Sequence, residues 1–485
     1  MTNTVNIEIN GKALTVPKGT TVMQAADEMA VSIPHFCWHP GLSVAGVCRF
    51  CMVKIEGVPK LQIACNTECL EGMKVNTVDS EVKDAHKWAL EFHLINHPID
   101  CPICDQAGEC ELQNYYMKVG KYDSQMSEKK VLKPKALDVG RELVLDTERC
   151  ILCSRCVRFE DEVTKTGALG IFNRGDKAVI GTFPGKKIEH NYSYNLVDIC
   201  PVGAFTAKDF RFKCRVWFLK TKKTICPGCS TGCNVNLYQN QNSREYYRLK
   251  PRFNKEVNGY WMCDKGRDMY KHLNSSQRLL APLNKGQPLS WNEVNGKFED
   301  FFKESLKSSR VAVVLTPQYT NEEYLLLLNF FSKNFVQGFQ LFTWRNALED
   351  RESFDGLLKR GDENPNSKGL EDALNQFGIK STLIKSDFAV FPKKDIDYLY
   401  VFGPELEASY TDFLSNLAHF SEIKRSCYFG LTKDSIINEF ELVVPTLTFA
   451  EKSGSYTNYK GQVQKISSNP PVMPKMKALS DFFKV

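Results

Sequence analysis

The sequence predicts a multidomain chain, α+β in its first half and α/β in its second, and three observations lead there. A hairpin pattern opens the chain, 17 of its 18 cysteines precede residue 264, and beyond residue 276 short apolar runs alternate with helical stretches. At 485 residues the chain is too long for one core, so several domains are expected.

Val5, Ile7 and Ile9, then Leu14 and Val16, alternate around Asn10-Gly11, a dipeptide that tolerates the positive φ of a tight hairpin turn. Thr21 with Gln24 three residues on forms a capping box, and Val22, Ala25, Ala26 and Met29 continue a helical stripe. Hairpin, helix and Cys-rich loop together predict a ferredoxin-like β-grasp domain over 1–78. A second helix is expected from Glu81 to His97 on the spacing of Val82, Ala85, Ala89, Phe92 and Ile95, ending at Pro98, within a small helical domain over 79–121. Residues 122–139, rich in Lys, Asp and Ser, read as a linker. Two further Cys-bearing domains follow at 140–218 and 219–275. Over 276–485 the strand runs Val311–Leu315, Tyr398–Phe402 and Leu442 to Val444 alternate with helices at Asn321–Asn334 and Glu407 to His419, the pattern of a parallel α/β sheet.

An apolar fraction of 42% and a charged fraction of 25% are those of a folded globular chain. The net charge of +6 is not clustered, which argues against nucleic-acid binding. The longest apolar runs have five residues, far below the roughly 18 of a membrane span. The start, MTNTVNIEING, lacks the basic flank and apolar stretch of a signal peptide, so a cytosolic setting is expected. Thiols stay reduced there, and metal ligation becomes the leading explanation for the cysteines.

The cysteines fall into four groups. Cys37, Cys48, Cys51 and Cys65, spaced C-x10-C-x2-C-x13-C, offer four soft thiolates from loops, as an iron–sulfur cluster or a zinc ion requires; Cys69 is a rival fourth donor. The second group is His97, Cys101, Cys104 and Cys110. An imidazole in place of one thiolate makes the site one negative charge lighter and raises its reduction potential. His93 reads as an ordinary helix-end histidine. The third group, Cys150, Cys153, Cys156 and remote Cys200 followed by Pro201, repeats the bacterial 4Fe-4S arrangement of a tight C-x2-C-x2-C run completed by a distant Cys-Pro. The fourth, Cys226, Cys229, Cys233 and Cys263, suits a 4Fe-4S cluster or zinc, with Gly228 and Gly232 letting the backbone wrap the metal. Cys214, read as part of an alternating strand, and Cys427 are expected to be buried thiols.

No nucleophile–base arrangement and no G-x-G-x-x-G loop accompanies these groups, so no catalytic residue is assigned. Several redox centres without a substrate site describe an electron carrier, and a flavin on another chain is the expected converter between two-electron hydride and one-electron clusters.

The order of the groups, with RCILCSRCVRFEDE and Cys200-Pro201-Val202-Gly203-Ala204, closely resembles the family of large iron–sulfur subunits of respiratory complex I, the NADH-quinone oxidoreductases. The resemblance implies one 2Fe-2S cluster in the first group and 4Fe-4S clusters in the other three, on a subunit of a proton-translocating NADH:quinone oxidoreductase. It implies no FMN or NAD on this chain, and as partners a flavin- and NADH-binding subunit, further iron–sulfur subunits and a membrane arm, with quinone at another subunit. It further implies a peripheral position on the cytoplasmic face of the inner membrane, a bacterial source, and passage of electrons from flavin on a partner, through the 2Fe-2S or a partner cluster, to the His-ligated cluster and then to the Cys150 cluster. Residues 276–485 look like a truncated, degenerate molybdopterin oxidoreductase domain without molybdopterin. Pro445 and Glu451 to Gln464 are similar to a segment near its pterin site, with Gln462 where Arg is expected. Two rivals share the cluster pattern. A molybdopterin-dependent formate dehydrogenase needs a metal ligand soon after the fourth group, and no Cys lies between Cys263 and Cys427. An electron-transfer subunit of an NAD-reducing hydrogenase has little use for the α/β half.

Overall fold

The computed structural model describes all residues except 1–2, 121–122, 124, 346–350, 385–390, 392, 406–412, 414–419, 421–422, 424, 432, 434, 468, 471–475 and 484–485. The chain divides into two compact units, Met1–Trp217 and Phe218–Val485.

In the first unit, β1 (Thr4–Ile9) and β2 (Lys12–Pro17) pair in the expected hairpin, with Asn10 (φ 50°) and Gly11 (φ 81°) both left-handed at its turn. β3 (Met52–Ile55), β4 (Gln62–Ile63) and β5 (Met73–Asn76) complete a sheet in the order β2-β1-β5-β3-β4, with β1 and β5 parallel. α1 (Val22–Glu28) is held at its start by the Thr21–Gln24 capping box and buries Val22, Met23, Ala25 and Ala26 against Ile7, Ile9, Val16, Val53 and Val75. α2 (Ser80–Leu94) stops three residues short of the expected His97. His97 precedes Pro98 and is steered out of the helical region. Lys130 Nζ donates to the freed carbonyls of Leu94 (2.8 Å) and Ile95 (2.9 Å). The linker is therefore a strap: Val131 N donates to Asn96 Oδ1 and Lys133 N to Glu148 Oε1.

α3 (Glu111–Val119), a small sheet of β6 (Leu137–Asp138), β7 (Leu143–Leu145) and β10 (Phe205–Ala207), α4 (Arg155–Glu162), the hairpin β8 (Leu169–Phe172) and β9 (Val179–Thr182), and α5 (Asn195–Ile199) complete the unit. Cys214 departs from expectation. It lies in a loop before Val216, partly exposed, because the alternation around it is too short to find a strand partner.

The second unit begins with an antiparallel sheet of β11 (Leu219–Ile225), β12 (Asn234–Asn240) and β13 (Tyr246–Pro251), followed by the short α6 (Asp264–Asp268). β14 (Leu283–Asn284) and β15 (Gln287–Pro288) form an antiparallel edge on a parallel sheet of β16 (Val311–Leu315), β17 (Gln340–Thr343), β18 (Thr382–Leu383), β19 (Tyr398–Phe402), β20 (Arg425–Gly430) and β21 (Leu442–Pro445), ordered β15-β14-β21-β20-β19-β16-β17-β18. α7 (Glu293–Ser305), α8 (Asn321–Asn334) and α9 (Ser367–Phe377) supply its helices. The helix expected from Glu407 to His419 falls, Phe413 apart, outside the described residues. The hairpin β22 (Gly454–Thr457) and β23 (Val463–Ile466) carries the segment singled out near Gln462, and Asn321 Nδ2 ties it to α8 through Ser455 Oγ and Thr457 Oγ1. Cys427 is fully buried, as expected. Among the described residues, no helix is long and apolar enough to cross a membrane.

Aromatic packing holds this second core. Phe331 of α8 meets Tyr400 at 5.0 Å, Phe335 at 5.7 Å and Phe483 at 6.0 Å between ring centroids. Phe331→Ala is expected to cost about 3–5 kcal/mol, the usual range for deleting a buried ring, and a denaturation midpoint that does not fall would contradict this core.

Candidate iron–sulfur centres

The loop from α1 to β3 and the turn after β4 bring Cys37, Cys48, Cys51 and Cys65 together, all four buried. The sulfurs interact in pairs. The hydrogen bond from Cys48 holds the Cys37 thiol down at about 5, and the same contact with burial drives Cys48 far up. Cys65 is lowered by its bond to Cys51. Cys69 stands aside: its thiol is pushed up to about 11 by burial and then by Glu28, with no influence from the other cysteines. Gly46, at φ +64°, lets the loop turn where a Cβ would come within 3.2 Å of Ile63 Cδ1.

Each of the other three groups lines a void of its own. His97, Cys101, Cys104 and Cys110 line a small void, with Ala107, Gln113, Arg149 and Gly203 in the wall. Burial, ahead of every other influence, brings the imidazole down to about 4, so it is neutral at physiological pH. Its Nδ1 is buried without a hydrogen-bond partner, a free lone pair of the kind a metal takes. His93, by contrast, uses Nδ1 on the carbonyl of Ala89 at 2.6 Å.

Cys150, Cys153, Cys156 and Cys200 line a small void beside Ile180, Val202, Ala204 and Phe205. Leu152 (φ 55°) and Ser154 (φ 61°) take the left-handed conformation, winding the Cys150–Cys156 run so that its sulfurs face one space before α4 begins. Leu152 N donates to Cys150 Sγ at 3.4 Å. Burial pushes Cys150 and Cys153 up to about 12.

In the second unit, Cys226, Cys229, Cys233 and Cys263 line a small void beside Gly228, Met262, Gly266 and Leu358. Gly266 N donates to Cys263 Sγ at 3.3 Å and Gly228 N to Cys226 Sγ at 3.5 Å.

The fit to clusters rests on the donor chemistry. Neutral buried thiols are poor donors, whereas a polynuclear cluster would supply the cations that replace their protons. Among the described residues, no three His, Cys, Asp or Glu side chains converge on a single-ion position.

Wall residues passed over in the sequence complete these sites. Arg149 bonds Asp100 at 3.2 Å, and Lys135 from the linker bonds the same carboxylate at 2.6 Å. Arg215 Nη1 donates to the carbonyl of Cys104 at 2.6 Å. Gly203 is the closest approach. A Cβ there would overlap Cys104 Sγ and lie 3.0 Å from Gln106 Cβ. Only the cations at ligand-adjacent positions, as in Arg149-Cys150, hinted at such roles in the sequence.

Gly203→Ala is expected to displace Cys104 and empty the His97 site while the other three fill. Iron content should fall by about 4 atoms per chain, the content of one 4Fe-4S cluster, and full iron with an unchanged EPR spectrum would refute the close approach.

Known families match the same segments. Residues 2–80 match a 2Fe-2S iron-sulfur cluster binding domain, 87–125 an NADH-ubiquinone oxidoreductase-G iron-sulfur binding region, 140–206 the ferredoxin-like domain of NADH-quinone oxidoreductase subunit 3, and 219–275 a molybdopterin oxidoreductase Fe4S4 domain. The G subunit of NADH-quinone oxidoreductase from Streptomyces coelicolor is 39% identical over 60% of this chain and 35% of its own length. The corresponding Rickettsia felis protein is 34% identical over 68% of this chain and 49% of its own. NADPH-Fe(3+) oxidoreductase subunit alpha of Geobacter sulfurreducens is 35% identical over 66% and 38%. A chain in a crystal structure of an NAD+-reducing [NiFe]-hydrogenase is 27% identical over 44% of this chain and 91% of its own, at a TM-score of 0.40. The matched region thus spans between 35% and 49% of these curated relatives' length. The chain is a homologue of the large iron–sulfur subunits of complex I and carries 2Fe-2S and 4Fe-4S binding domains of their kind.

Proposed function

We propose that this chain is an electron-transfer subunit of a proton-translocating NADH-quinone oxidoreductase, with Cys37, Cys48, Cys51 and Cys65 holding a 2Fe-2S cluster and the three remaining quartets holding 4Fe-4S clusters. The observation that carries this reading is that each of those three quartets lines one void with all four of its donors. When bound, the clusters supply one-electron storage. The chain's own residues fix their spacing, keep water from the sulfurs and present N–H groups to them.

The arrangement of the first unit favours an electron order different from the one the sequence led us to expect. Gly203, in the wall of the His97 void, lies three residues from Cys200, while Arg155, in the wall of the Cys150 void, donates to the carbonyl of Trp38 beside Cys37. The Cys150 centre then stands between the other two, and electrons run from the 2Fe-2S centre through it to the His-ligated cluster. A flavin-bearing, NADH-oxidising subunit is the donor, further iron–sulfur subunits lead on to quinone at another subunit, and a membrane arm completes the partners. The chain is a peripheral subunit on the cytoplasmic face of a bacterial inner membrane.

The second half serves as a scaffold, a degenerate molybdopterin oxidoreductase-like domain without the pterin. Two cations near its Glu451–Gln464 segment are consumed inside the fold: Lys452 pairs with Glu323 at 2.8 Å and with Glu405, and Arg278 pairs with Glu451. Both cations thus have a carboxylate partner within the fold. The Geobacter relative supports a second reading, in which the donor subunit oxidises NADPH and the acceptor is not quinone.

Three experiments test this function. Anaerobically purified protein should contain about 14 iron atoms with matching sulfide and no molybdenum, the sum of one 2Fe-2S and three 4Fe-4S clusters. Zinc in place of four of those irons would make the fourth site a structural clip, and stoichiometric molybdenum would make the chain a pterin enzyme. In the assembled complex, Cys153→Ala should abolish NADH-to-quinone transfer while sparing NADH oxidation by an artificial acceptor; intact quinone reduction would sink the wire. His97→Cys should keep its cluster and shift its potential negative by adding one thiolate charge, read by EPR redox titration.

A further inference from the structure

One face of α4 grips the loop that carries Cys37 and Cys48. Arg155, Arg158 and Glu162 stand three and then four residues apart, on the same side of the helix. Arg155 Nη2 donates to Trp38 O at 2.8 Å, and its Nη1 to Ile199 O, next to Cys200, at 3.0 Å. Arg158 Nη2 donates to the carbonyl of Cys37 and lies 3.5 Å from that of Cys153, while its Nη1 donates to Ser43 O. Glu162 takes the other side of Ser43, accepting from its N–H at 2.8 Å and from its hydroxyl. Ser43 is thus held through both its carbonyl and its amide by two residues one helical turn apart.

A docking contact for stability alone needs only the outer grip on Ser43. Arg158 does more, since one guanidinium spans a backbone carbonyl from a residue of each metal site. Its planar fork holds several N–H donors in a fixed geometry suited to that span.

We propose that Arg158 is a positioning residue that sets the separation and electronic coupling of the Cys37 and Cys150 centres and holds up the reduction potential of the first. This rests on the cluster assignment above. The step it serves is a one-electron exchange: the electron lost at the first centre is gained at the second, with no bond broken and no proton moved. A cation hydrogen-bonded beside the first centre stabilises its reduced, more negative form, so removing the charge makes that potential more negative.

The test compares native protein with R158Q in the full complex, prepared anaerobically. Iron and sulfide content and the EPR signals of both centres check the cluster assignment separately. With both signals present, R158Q should show weaker mutual relaxation enhancement between the two reduced centres, a more negative potential for the first, and at least a tenfold slower NADH-to-quinone rate, with NADH oxidation by an artificial acceptor unchanged. R158K, which keeps the charge and loses the fork, should restore the potential and leave the relaxation enhancement weak. Full iron with unaltered relaxation and potential in R158Q overturns the proposal, as does a native protein without mutual relaxation. Should R158Q fail to retain iron, R158K decides: a native relaxation enhancement in that variant overturns it.

Discussion

Burial of sulfur is the constraint on which the rest of this protein depends. A thiol in water ionises near pH 8.5, and a neutral thiol is a weak metal ligand. Burial pushes Cys150 and Cys153 up to about 12, and Cys156, Cys226 and Cys233 well above their ordinary value. A metal that displaces those protons would relieve this, because it binds the thiolate form.

The centres meet this constraint with different surroundings. In the first group the cysteines share protons in pairs, Cys37 with Cys48 and Cys51 with Cys65. In the second, an imidazole kept neutral by burial stands with three cysteines, and Arg149 stands in the wall. In the third and fourth, backbone N–H groups point at sulfur, from Leu152, Gly228 and Gly266. Charge, hydrogen bonding and exposure are the means by which a protein separates the potentials of otherwise similar clusters, and here they differ from site to site.

The second unit follows another logic. Its parallel sheet is covered by α7, α8 and α9 and cemented by rings such as Phe298, Phe331, Phe402 and Phe429, a core that needs no metal to be dense. Its buried charges are matched internally: Lys452 lies between Glu323 and Glu405, with the Tyr319 ring 4.9 Å away. Removing either partner would strand a charge away from water, so the network fixes the β22–β23 hairpin region as firmly as the aromatic core fixes the sheet.

Much of this was legible in the chain because it is local. The Asn10-Gly11 turn, the Thr21 cap, α8 and the apolar runs of β16, β19 and β21 depend on residues a few positions apart, and spacing reports them directly. Ligand spacing within the tight runs, such as Cys150 to Cys156, belongs to the same class. The departures all involve distant partners. The end of α2 was settled by Lys130 and by the turn into Pro98, and the exposure of Cys214 by the lack of a strand partner. Arg149 and Arg158 lie in the Cys150 run and Gly203 in the Cys200-Pro201 segment, but those motifs do not say what the three residues touch. Their roles arise because Cys104, Cys37 and Cys153 are brought against them from other parts of the chain. Sequence alone thus determined which atoms are offered as donors, since donor chemistry resides in single side chains. Tertiary structure decided which donors share a void and which centres are neighbours, because packing alone sets distances between segments far apart in the chain.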